Sequence, residues 1–236
     1  MSESLATVEI DAFRQNGDCS ILIDFAAADE NKLLRHIHCF ANQIRQTGFY
    51  SVVNVIPAKT TLMLAFSTPI DSWSELQDKL LNINSSLEYK NQSVNTHSIP
   101  ICYHPEIATD LETVLKQTGL DLEGLIKIHS SREYLVSMLG FLPGFMYLDE
   151  LDQQLLLARK TTPAIRLPAG SVAISGNQCG LYSVSSPGGW HVIARTPQQL
   201  VDWNNDRPMC ISALDKIRFK PISLDEFRHL EQAGAS

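Results

Sequence analysis

Two runs of the sequence, residues 166–182 and 185–197, carry most of the side chains that could bind or transform a small molecule. Five glycines stand in these runs between short β-prone segments. Glycine at that density favours either tight turns or a backbone that a ligand approaches closely. The polar residues among them suit an anionic or amide-bearing ligand, because arginine matches a carboxylate or phosphate with two parallel hydrogen bonds. A β-barrel with many tight turns is the alternative. The candidate substrate-binding residues are Arg166, Ser171, Gln178, Tyr182, Ser186, Gly188, Gly189 and Trp190.

His191 and Arg195 are the candidate catalytic residues. If this run is an extended strand, His191, Ile193 and Arg195 project from one face, so the imidazole and the guanidinium share a wall. Histidine ordinarily titrates near pH ~6.5 and can relay a proton at cellular pH. The alternative is structural, with Arg166 and Arg195 paired to acidic residues at the rim of a barrel.

Several familiar catalytic and nucleotide-binding motifs are absent from the sequence. There is no GxxxxGK[ST] loop, and Gly188-Gly189-Trp190 lacks the spacing of a Rossmann motif. The run Gly170-Ser171-Val172-Ala173 lacks the closing glycine of a nucleophile elbow. We therefore expect neither a familiar phosphate-binding loop nor a nucleophilic serine.

The cysteines and the remaining histidines do not suggest a metal site. Five cysteines are scattered without a CxxC pair, which favours reduced thiols over disulfides or zinc. His36 and His38 stand two residues apart on a predicted helix and should point in different directions. His129, at the end of another predicted helix, is either a catalytic base or a helix-end histidine favoured by the macrodipole.

The composition excludes several classes of partner. The chain has 236 residues, 44% of them hydrophobic, and a formal net charge of −7, which is typical of a soluble globular protein. An acidic balance without a basic cluster argues against nucleic acid and anionic membranes as partners. No secretory signal and no bilayer-length apolar run is visible, so a cytoplasmic location is expected.

The helices and strands predicted around these residues fall into two domains of an α+β chain. Residues 1–90 are predicted to form a small α+β sandwich of order β-β-α-β-β-α. Its hairpins cover residues 7–25 and 50–66, and its helices run from Asp29 to Thr47 and onward from Ser72. The polar stretch 82–92 is the predicted boundary.

Residues 91–236 are predicted to form a mainly β, barrel-like domain. A strand over 94–103 leads to two short helices, which end near Gly119 and His129. A strand over 134–139, a run of short strands from 160 to 221 and a closing helix over 223–232 complete it.

The loop over residues 140–148 contains two glycines, a proline and three aromatic residues. Such a rigid aromatic loop could wall a pocket, cover the end of a barrel or contact another protein. Phe141, Phe145 and Tyr147 are therefore the candidate partner-binding residues.

Three motifs in this order resemble the 5-oxoprolinase B-subunit family. They are Gly-Phe-Leu-Pro-Gly-Phe-Met-Tyr-Leu (140–148), Arg-Leu-Pro-Ala-Gly-Ser-Val-Ala-Ile (166–174) and Ser-Pro-Gly-Gly-Trp-His (186–191), the last followed by Arg-Thr-Pro (195–197). The likeness extends over nearly the whole chain. Members of this family are also described as allophanate hydrolase subunit 1 and as inhibitors of a sporulation kinase.

The resemblance implies a cyclophilin-like β-barrel for the second domain and a function within a complex. A larger cyclophilin-like subunit and a third hydrolase subunit would complete an ATP-dependent cleavage of 5-oxoproline to glutamate. This chain would be inactive alone, with ATP used by the complex. The alternatives are inhibition of a histidine kinase and membership of an allophanate- or urea-type amide hydrolase. The chain departs from the family pattern at Ala158, Cys179, Ala194 and Leu214, where proline, threonine, glycine and glycine are usual.

Overall fold

The computed structural model describes residues 8–48, 51–87, 89, 94–205 and 208–234. The chain divides into two compact units, Met1–Ser93 and Val94–Ser236. Thr7 and Tyr50, where two predicted strands begin, and residues 88 and 90–92 of the predicted boundary lie outside the described residues. Among the described residues, no helix combines the length and the hydrophobicity of a membrane-spanning segment.

The first unit is a four-stranded antiparallel sheet with two helices, in the predicted order β-β-α-β-β-α. The sheet order is β1-β2-β4-β3. Asp29 begins α1, because its carboxylate accepts hydrogen bonds from the backbone N–H groups of Asn31 and Lys32. The elements are β1 (Glu9–Gln15), β2 (Ser20–Ala26), α1 (Glu30–Thr47), β3 (Val52–Pro57), β4 (Thr61–Phe66) and α2 (Trp73–Ser85).

One histidine of the first unit is held in place by hydrogen bonds. His36 is buried, with Nδ1 2.6 Å from the Tyr89 hydroxyl and Nε2 2.6 Å from Asn84 Oδ1. Burial lowers the pKa of His36. This ring belongs to the packing between the helices and the sheet.

The second unit is built on a seven-stranded sheet of order β12-β9-β10-β7-β6-β13-β5. All its pairs are antiparallel except β13–β5, which is parallel. A separate ribbon pairs β8 with β11. The elements are β5 (Thr96–Ile101), α3 (Leu111–Thr118), α4 (Leu122–Ser130), β6 (Glu133–Leu139), β7 (Met146–Asp149), β8 (Ala164–Leu167), β9 (Ser171–Ser175), β10 (Gln178–Leu181), β11 (Ser186–Gly188), β12 (His191–Arg195), β13 (Lys216–Pro221) and α5 (Leu224–Gly234).

The two edge strands meet at one point, which almost closes the sheet into a barrel. Cys102, just after β5, and Arg195, at the end of β12, exchange two backbone hydrogen bonds of 2.8 and 3.0 Å. The predicted barrel is thereby confirmed as a nearly closed sheet, while its likeness to cyclophilin stays a prediction. The end of the predicted aromatic loop is strand rather than loop, since residues 146–149 form β7.

Alternate residues of the barrel strands enter two hydrophobic clusters, as the pleat of a strand requires. The inner cluster fills the barrel and includes Val136, Met146, Leu148, Val172, Ile174, Cys179, Leu181 and Ile193. The outer cluster lies on the opposite face of the sheet and consists of Phe145, Leu167, Ala173, Tyr182, Trp190 and Val192.

Candidate functional site

His191 is the first residue of β12, and its side chain is buried. Nε2 lies 3.0 Å from the carbonyl oxygen of Ala158. Because a carbonyl oxygen only accepts, Nε2 carries the hydrogen and Nδ1 of the neutral ring is an acceptor. Nδ1 is buried and has no hydrogen-bond partner among the described residues. Buried polar atoms normally have a hydrogen-bond partner. This nitrogen is therefore the atom of the second unit that most strongly indicates a functional contact.

Asp110 and Lys160 hold the chain on either side of His191. Asp110 precedes α3, but its side chain makes no capping hydrogen bond to that helix. Its Oδ2 instead accepts from the backbone N–H of Val192 at 2.8 Å and from Lys160 Nζ at 2.7 Å. The backbone N–H of Lys160 donates to the carbonyl oxygen of Gly189 at 2.8 Å. The carboxylate and the ammonium group are both largely buried.

We call Asp110, Ala158, Lys160, Gly189 and His191 the β12-start cluster. It combines an imidazole nitrogen without a partner, an ion pair and a partly exposed glycine at which an added Cβ would meet nothing closer than 3.8 Å. These groups can accept a proton and stabilise a charge that develops beside the imidazole. The arrangement can therefore support proton transfer.

The sequence patterns did not identify Asp110 or Lys160 as functional candidates. Asp110 stands just before the first of the two predicted short helices, where an acid normally caps the helix, and Lys160 is the first residue of the predicted run of short strands. The two residues are 50 positions apart and meet only in the folded chain. The one available signal was an acid at a helix start, and that pattern is normally a cap.

The expectation that His191 and Arg195 share one wall is wrong. A β-bulge between Val192 and Ala194 shifts the register, so His191 lies opposite Ile174 and Arg195 lies opposite Ser171. Four steps along β12 therefore match three along β9, and the extra residue reverses the alternation of the side chains. His191 follows the inner row of the sheet and Arg195 the outer row.

Arg195 has several partners of its own. Its Nε donates to the carbonyl oxygen of Ala169 at 2.8 Å, and Nη2 lies 2.9 Å from Glu231 Oε1 in α5. The guanidinium also lies over the ring of Phe227, 5.4 Å from its centroid. These contacts match the structural alternative, an ion pair at the rim of the barrel.

Four candidate substrate-binding residues lie on or beside the β8–β11 ribbon. Arg166 is exposed, and its Nε donates to Ser185 Oγ at 3.0 Å. A Cβ on Gly188 would lie 2.7 Å from the Tyr182 hydroxyl, so that glycine permits close packing of the ribbon. Burial raises the pKa of Tyr182 to about 12, which keeps its hydroxyl protonated. Ser186 is buried, and its Oγ donates to the carbonyl oxygen of Pro187 at 3.1 Å.

The remaining candidates are dispersed over the barrel. Ser171 Oγ is buried and donates to the carbonyl oxygen of Pro168 at 2.7 Å. Gln178 Nε2 donates to Asp149 Oδ1 at 2.9 Å, and Trp190 packs in the outer cluster. The structure thus does not gather the predicted residues around one centre, and only Gly189 lies with His191 in the β12-start cluster. A role in substrate binding stays a prediction for the others.

The aromatic loop divides between the core and the surface. Phe145 is 1% exposed and makes edge-on contacts with Tyr182 and Trp190, so its prediction as a partner-binding residue is corrected: it is a core residue. Tyr147 is partly buried against the same cluster. Phe141 is 64% exposed and has a φ of 68°, which a phenylalanine rarely adopts. Phe141 alone of these three presents a large apolar surface.

His129 is a core residue and not a titrating base. Its Nδ1 lies 2.7 Å from the Tyr103 hydroxyl, its Nε2 3.5 Å from Cys179 Sγ, and its ring stacks on Phe219. Complete burial lowers the pKa of His129 to about 3. The ring is therefore neutral near pH 7, and the helix macrodipole has no imidazolium to stabilise.

Comparisons with known proteins identify relatives over most of the chain. Residues 12–211 match the model of the carboxyltransferase domain, subdomain C and D. The B-subunit of 5-oxoprolinase from Bacillus subtilis (strain 168) is 33% identical over 227 residues, which cover 90% of this chain and 93% of the relative. The B-subunit of 5-oxoprolinase from Escherichia coli O157:H7 is 35% identical over 175 residues, which cover 72% of this chain and 78% of the relative.

Solved structures show the same fold in larger proteins. The protein TTHA0988 superposes with a TM-score of 0.75 and 28% identity, covering 86% of this chain but 40% of that protein, so this chain spans less than half of its length. The urea carboxylase of Kluyveromyces lactis superposes with a TM-score of 0.76 over 94% of this chain and 22% of that enzyme. At 17% identity, the second likeness is one of fold alone.

Proposed function

This chain belongs to the 5-oxoprolinase B-subunit family, within the carboxyltransferase domain family, subdomain C and D, and we propose that it is one component of an ATP-dependent 5-oxoprolinase. The complex would convert 5-oxoproline, ATP and two waters into glutamate, ADP and phosphate. A larger cyclophilin-like subunit and a third hydrolase subunit would complete it. The relatives' names support the assignment, and the β12-start cluster supports a chemical role for this chain.

A five-membered lactam is a poor electrophile, so the substrate must be activated, and in this scheme ATP activates it. Phosphorylation of the amide oxygen by ATP releases ADP and leaves a carbon that water can attack. This chain has no familiar phosphate-binding loop, so the nucleotide is assigned to the partner subunits. After the first water has added, the ring nitrogen leaves that carbon and becomes the amino group of glutamate. A second water then hydrolyses the acyl phosphate that remains, which releases phosphate and leaves the carboxylate.

The role that we assign to this chain rests on the unpartnered Nδ1 of His191. A neutral acceptor can take a proton from the attacking water and return it to the leaving nitrogen. Ala158 holds the hydrogen on Nε2 and so keeps Nδ1 in the acceptor form. Asp110 and Lys160 position the start of β12 and are positioning residues in this scheme.

Reconstitution of the complex tests the proposal. The purified chain alone should hydrolyse neither ATP nor 5-oxoproline, and adding both partner subunits from the same organism should give ATP-dependent glutamate formation. Within the complex, His191→Ala should lower kcat by about 10²–10⁴-fold. His104→Ala, which changes a partly exposed histidine in the same unit, is the matched control and should leave kcat unchanged.

Two results would refute parts of the proposal. Turnover of 5-oxoproline by the chain alone would remove the division of labour between subunits. A loss below tenfold for His191→Ala in a complex that assembles normally would make His191 a packing residue.

A further inference from the structure

Arg159 stands beside the β12-start cluster and carries a positive charge that no described acid pairs. The residue before it, Ala158, accepts from His191 Nε2, and the residue after it, Lys160, donates its backbone N–H to Gly189. The side chain of Arg159 is exposed, and its guanidinium makes no hydrogen bond or ion pair with a described residue. A guanidinium in this state can bind an anionic ligand with two parallel hydrogen bonds.

The other described cations around the cluster are engaged or lie elsewhere. Lys160 Nζ is 2.7 Å from Asp110 Oδ2, so its charge is balanced within the cluster. Arg195 contacts Glu231 and lies on the opposite row of β12. Arg166 belongs to the separate β8–β11 ribbon. The guanidinium next to Ala158 is therefore the described cation best placed to serve a ligand of His191.

A tyrosine hydroxyl lies within electrostatic reach of the same guanidinium. Tyr182 is 2% exposed, and no described residue hydrogen-bonds to its hydroxyl. Burial raises the pKa of Tyr182 to about 12, while the charge of Arg159 acts in the opposite direction. A Cβ on Gly188 would lie 2.7 Å from this hydroxyl, so the hydroxyl borders the chain that leads to His191. A guanidinium and a protonated hydroxyl both donate, and a carboxylate accepts from both.

The proposed substrate carries a carboxylate close to the nitrogen that leaves. In 5-oxoproline that nitrogen is bonded both to the carbonyl carbon and to the carbon that bears the carboxylate. The group that returns a proton to the nitrogen and the group that binds the carboxylate must therefore be neighbours. His191 and Arg159 meet this requirement, because Ala158, which holds the imidazole, directly precedes Arg159.

We propose that Arg159 binds the carboxylate of 5-oxoproline, with the Tyr182 hydroxyl as a second donor, and so selects this substrate over a neutral lactam. The assignment rests on the proposed function and adds a specificity-determining residue to the proton-transfer role of His191. The carboxylate takes no part in the bond changes, so its contact contributes equally to the ground state and the transition state. Loss of Arg159 should therefore weaken binding more than it slows turnover.

Calorimetric titration of the assembled complex without ATP tests the proposal. With the unaltered chain, 5-oxoproline should bind about tenfold or more tightly than 2-pyrrolidone, which has the same ring without the carboxylate. Arg159→Ala should remove this preference, and Arg159→Lys should retain part of it, because lysine keeps the charge but not the fork. Arg218→Ala removes an exposed arginine that pairs with Glu133, and this matched control should keep the full preference.

Steady-state kinetics of the same complexes with ATP separates recognition from proton transfer. Arg159→Ala should raise KM for 5-oxoproline by about 10–100-fold and change kcat by less than about threefold. His191→Ala should instead lower kcat. Added guanidinium ion should restore part of the affinity of Arg159→Ala and none of the turnover of His191→Ala.

The outcomes distinguish this site from the function on which it rests. Equal affinity of the unaltered complex for the two lactams, or a full preference for 5-oxoproline in Arg159→Ala, would overturn the role of Arg159. A lower kcat with an unchanged KM in Arg159→Ala would do so as well. A complex that prefers 5-oxoproline through Arg159 but forms no glutamate would refute the proposed function and support the carboxylate site.

Discussion

Both ring nitrogens of His129 have partners, Tyr103 and Cys179, whereas only Nε2 of His191 has one. The two residues are of one type and are buried in the same unit. His129 contributes to the packing of the inner cluster, and His191 retains an unused acceptor. At the scale of the residue, the partners of a side chain decide whether it can serve chemistry.

The buried His129 should make stability depend on pH. Its pKa is lowered to about 3 in the folded chain, while an unfolded histidine titrates near pH ~6.5. Below pH ~6.5 the unfolded chain binds a proton that the folded chain does not. The free energy of unfolding should therefore fall by up to about 1.4 kcal/mol per pH unit as the pH decreases towards 3.

Urea unfolding of the unaltered chain and of His129→Gln at pH 7, 6 and 5 measures this contribution. The variant should be less stable at pH 7 but should lose stability less steeply on acidification. Comparing the two proteins cancels the contribution of His36, which is common to both. Parallel pH profiles would contradict a neutral, buried His129.

Two glycines with positive φ provide a matched pair of substitutions. At Gly170, φ is 81° and an added Cβ would lie 2.2 Å from the backbone oxygen of Thr196. At Gly176, φ is 57° and an added Cβ would meet nothing within 4 Å. Gly176→Ala should cost about 1 kcal/mol for the left-handed backbone, and Gly170→Ala about 2 kcal/mol more for the clash. Chemical denaturation measures both, and equal losses would show that the end of β12 can shift freely.

At the scale of the element, a single inserted residue in β12 determines which groups meet. The bulge at Ile193 places His191 and Arg195 on opposite faces of the sheet. A second irregularity lies before β13, where Leu214 has a φ of 74°. Glycine, which the family pattern expects at position 214, adopts this conformation without strain. The replacement of the usual glycine by leucine at position 214 therefore lies in a turn and does not displace β13.

Arg195 should stabilise the attachment of α5. Arg195→Lys loses the hydrogen bond from Nε to Ala169 and the fork that reaches Glu231, so it should lower the free energy of unfolding by about 1–2 kcal/mol. Glu231→Gln should cost less than about 1 kcal/mol, because Glu231 is well exposed. Urea unfolding of the single and double variants gives the coupling between the two side chains. Unchanged stability of Arg195→Lys would leave its guanidinium available for the predicted ligand role.

At the scale of the whole molecule, Phe141 is the residue that we propose for contact with the larger subunit. It combines an exposed ring with a strained φ of 68°, and strain that persists at an exposed aromatic side chain is characteristic of functional positions. Phe141→Gly relieves the strain but removes the contact with Phe145, so the stability of the chain should change little. Its affinity for the larger subunit should fall at least tenfold.

Calorimetric titration of the two purified subunits measures this affinity. Trp203→Ala changes another exposed aromatic residue outside the loop and is the matched control, expected to bind normally. Equal affinity of Phe141→Gly and the unaltered chain would place the interface elsewhere.

Local patterns in the sequence were sufficient to predict most of the elements and the family. The order of helices and strands was predictable because hydrophobic periodicity and capping residues act over a few neighbouring positions. The three glycine-rich motifs were sufficient to indicate the family, which the comparisons confirm. His191 was a candidate from its position in one of those motifs, and its catalytic role stays a prediction.

Which residues meet in the folded chain could not be predicted from local patterns. Asp110 and Lys160 join across 50 positions, and His97 and Asp215 across 118, distances over which periodicity carries no information. The bulge in β12 changes the face of the sheet on which the following side chains lie. The hydrophobic pattern of the sequence does not reveal it, because Ile193 and Ala194 are consecutive apolar residues that are both buried in the inner cluster. Phe145 and Phe141 have the same chemistry in one loop, and only packing on the barrel distinguishes the core residue from the exposed one.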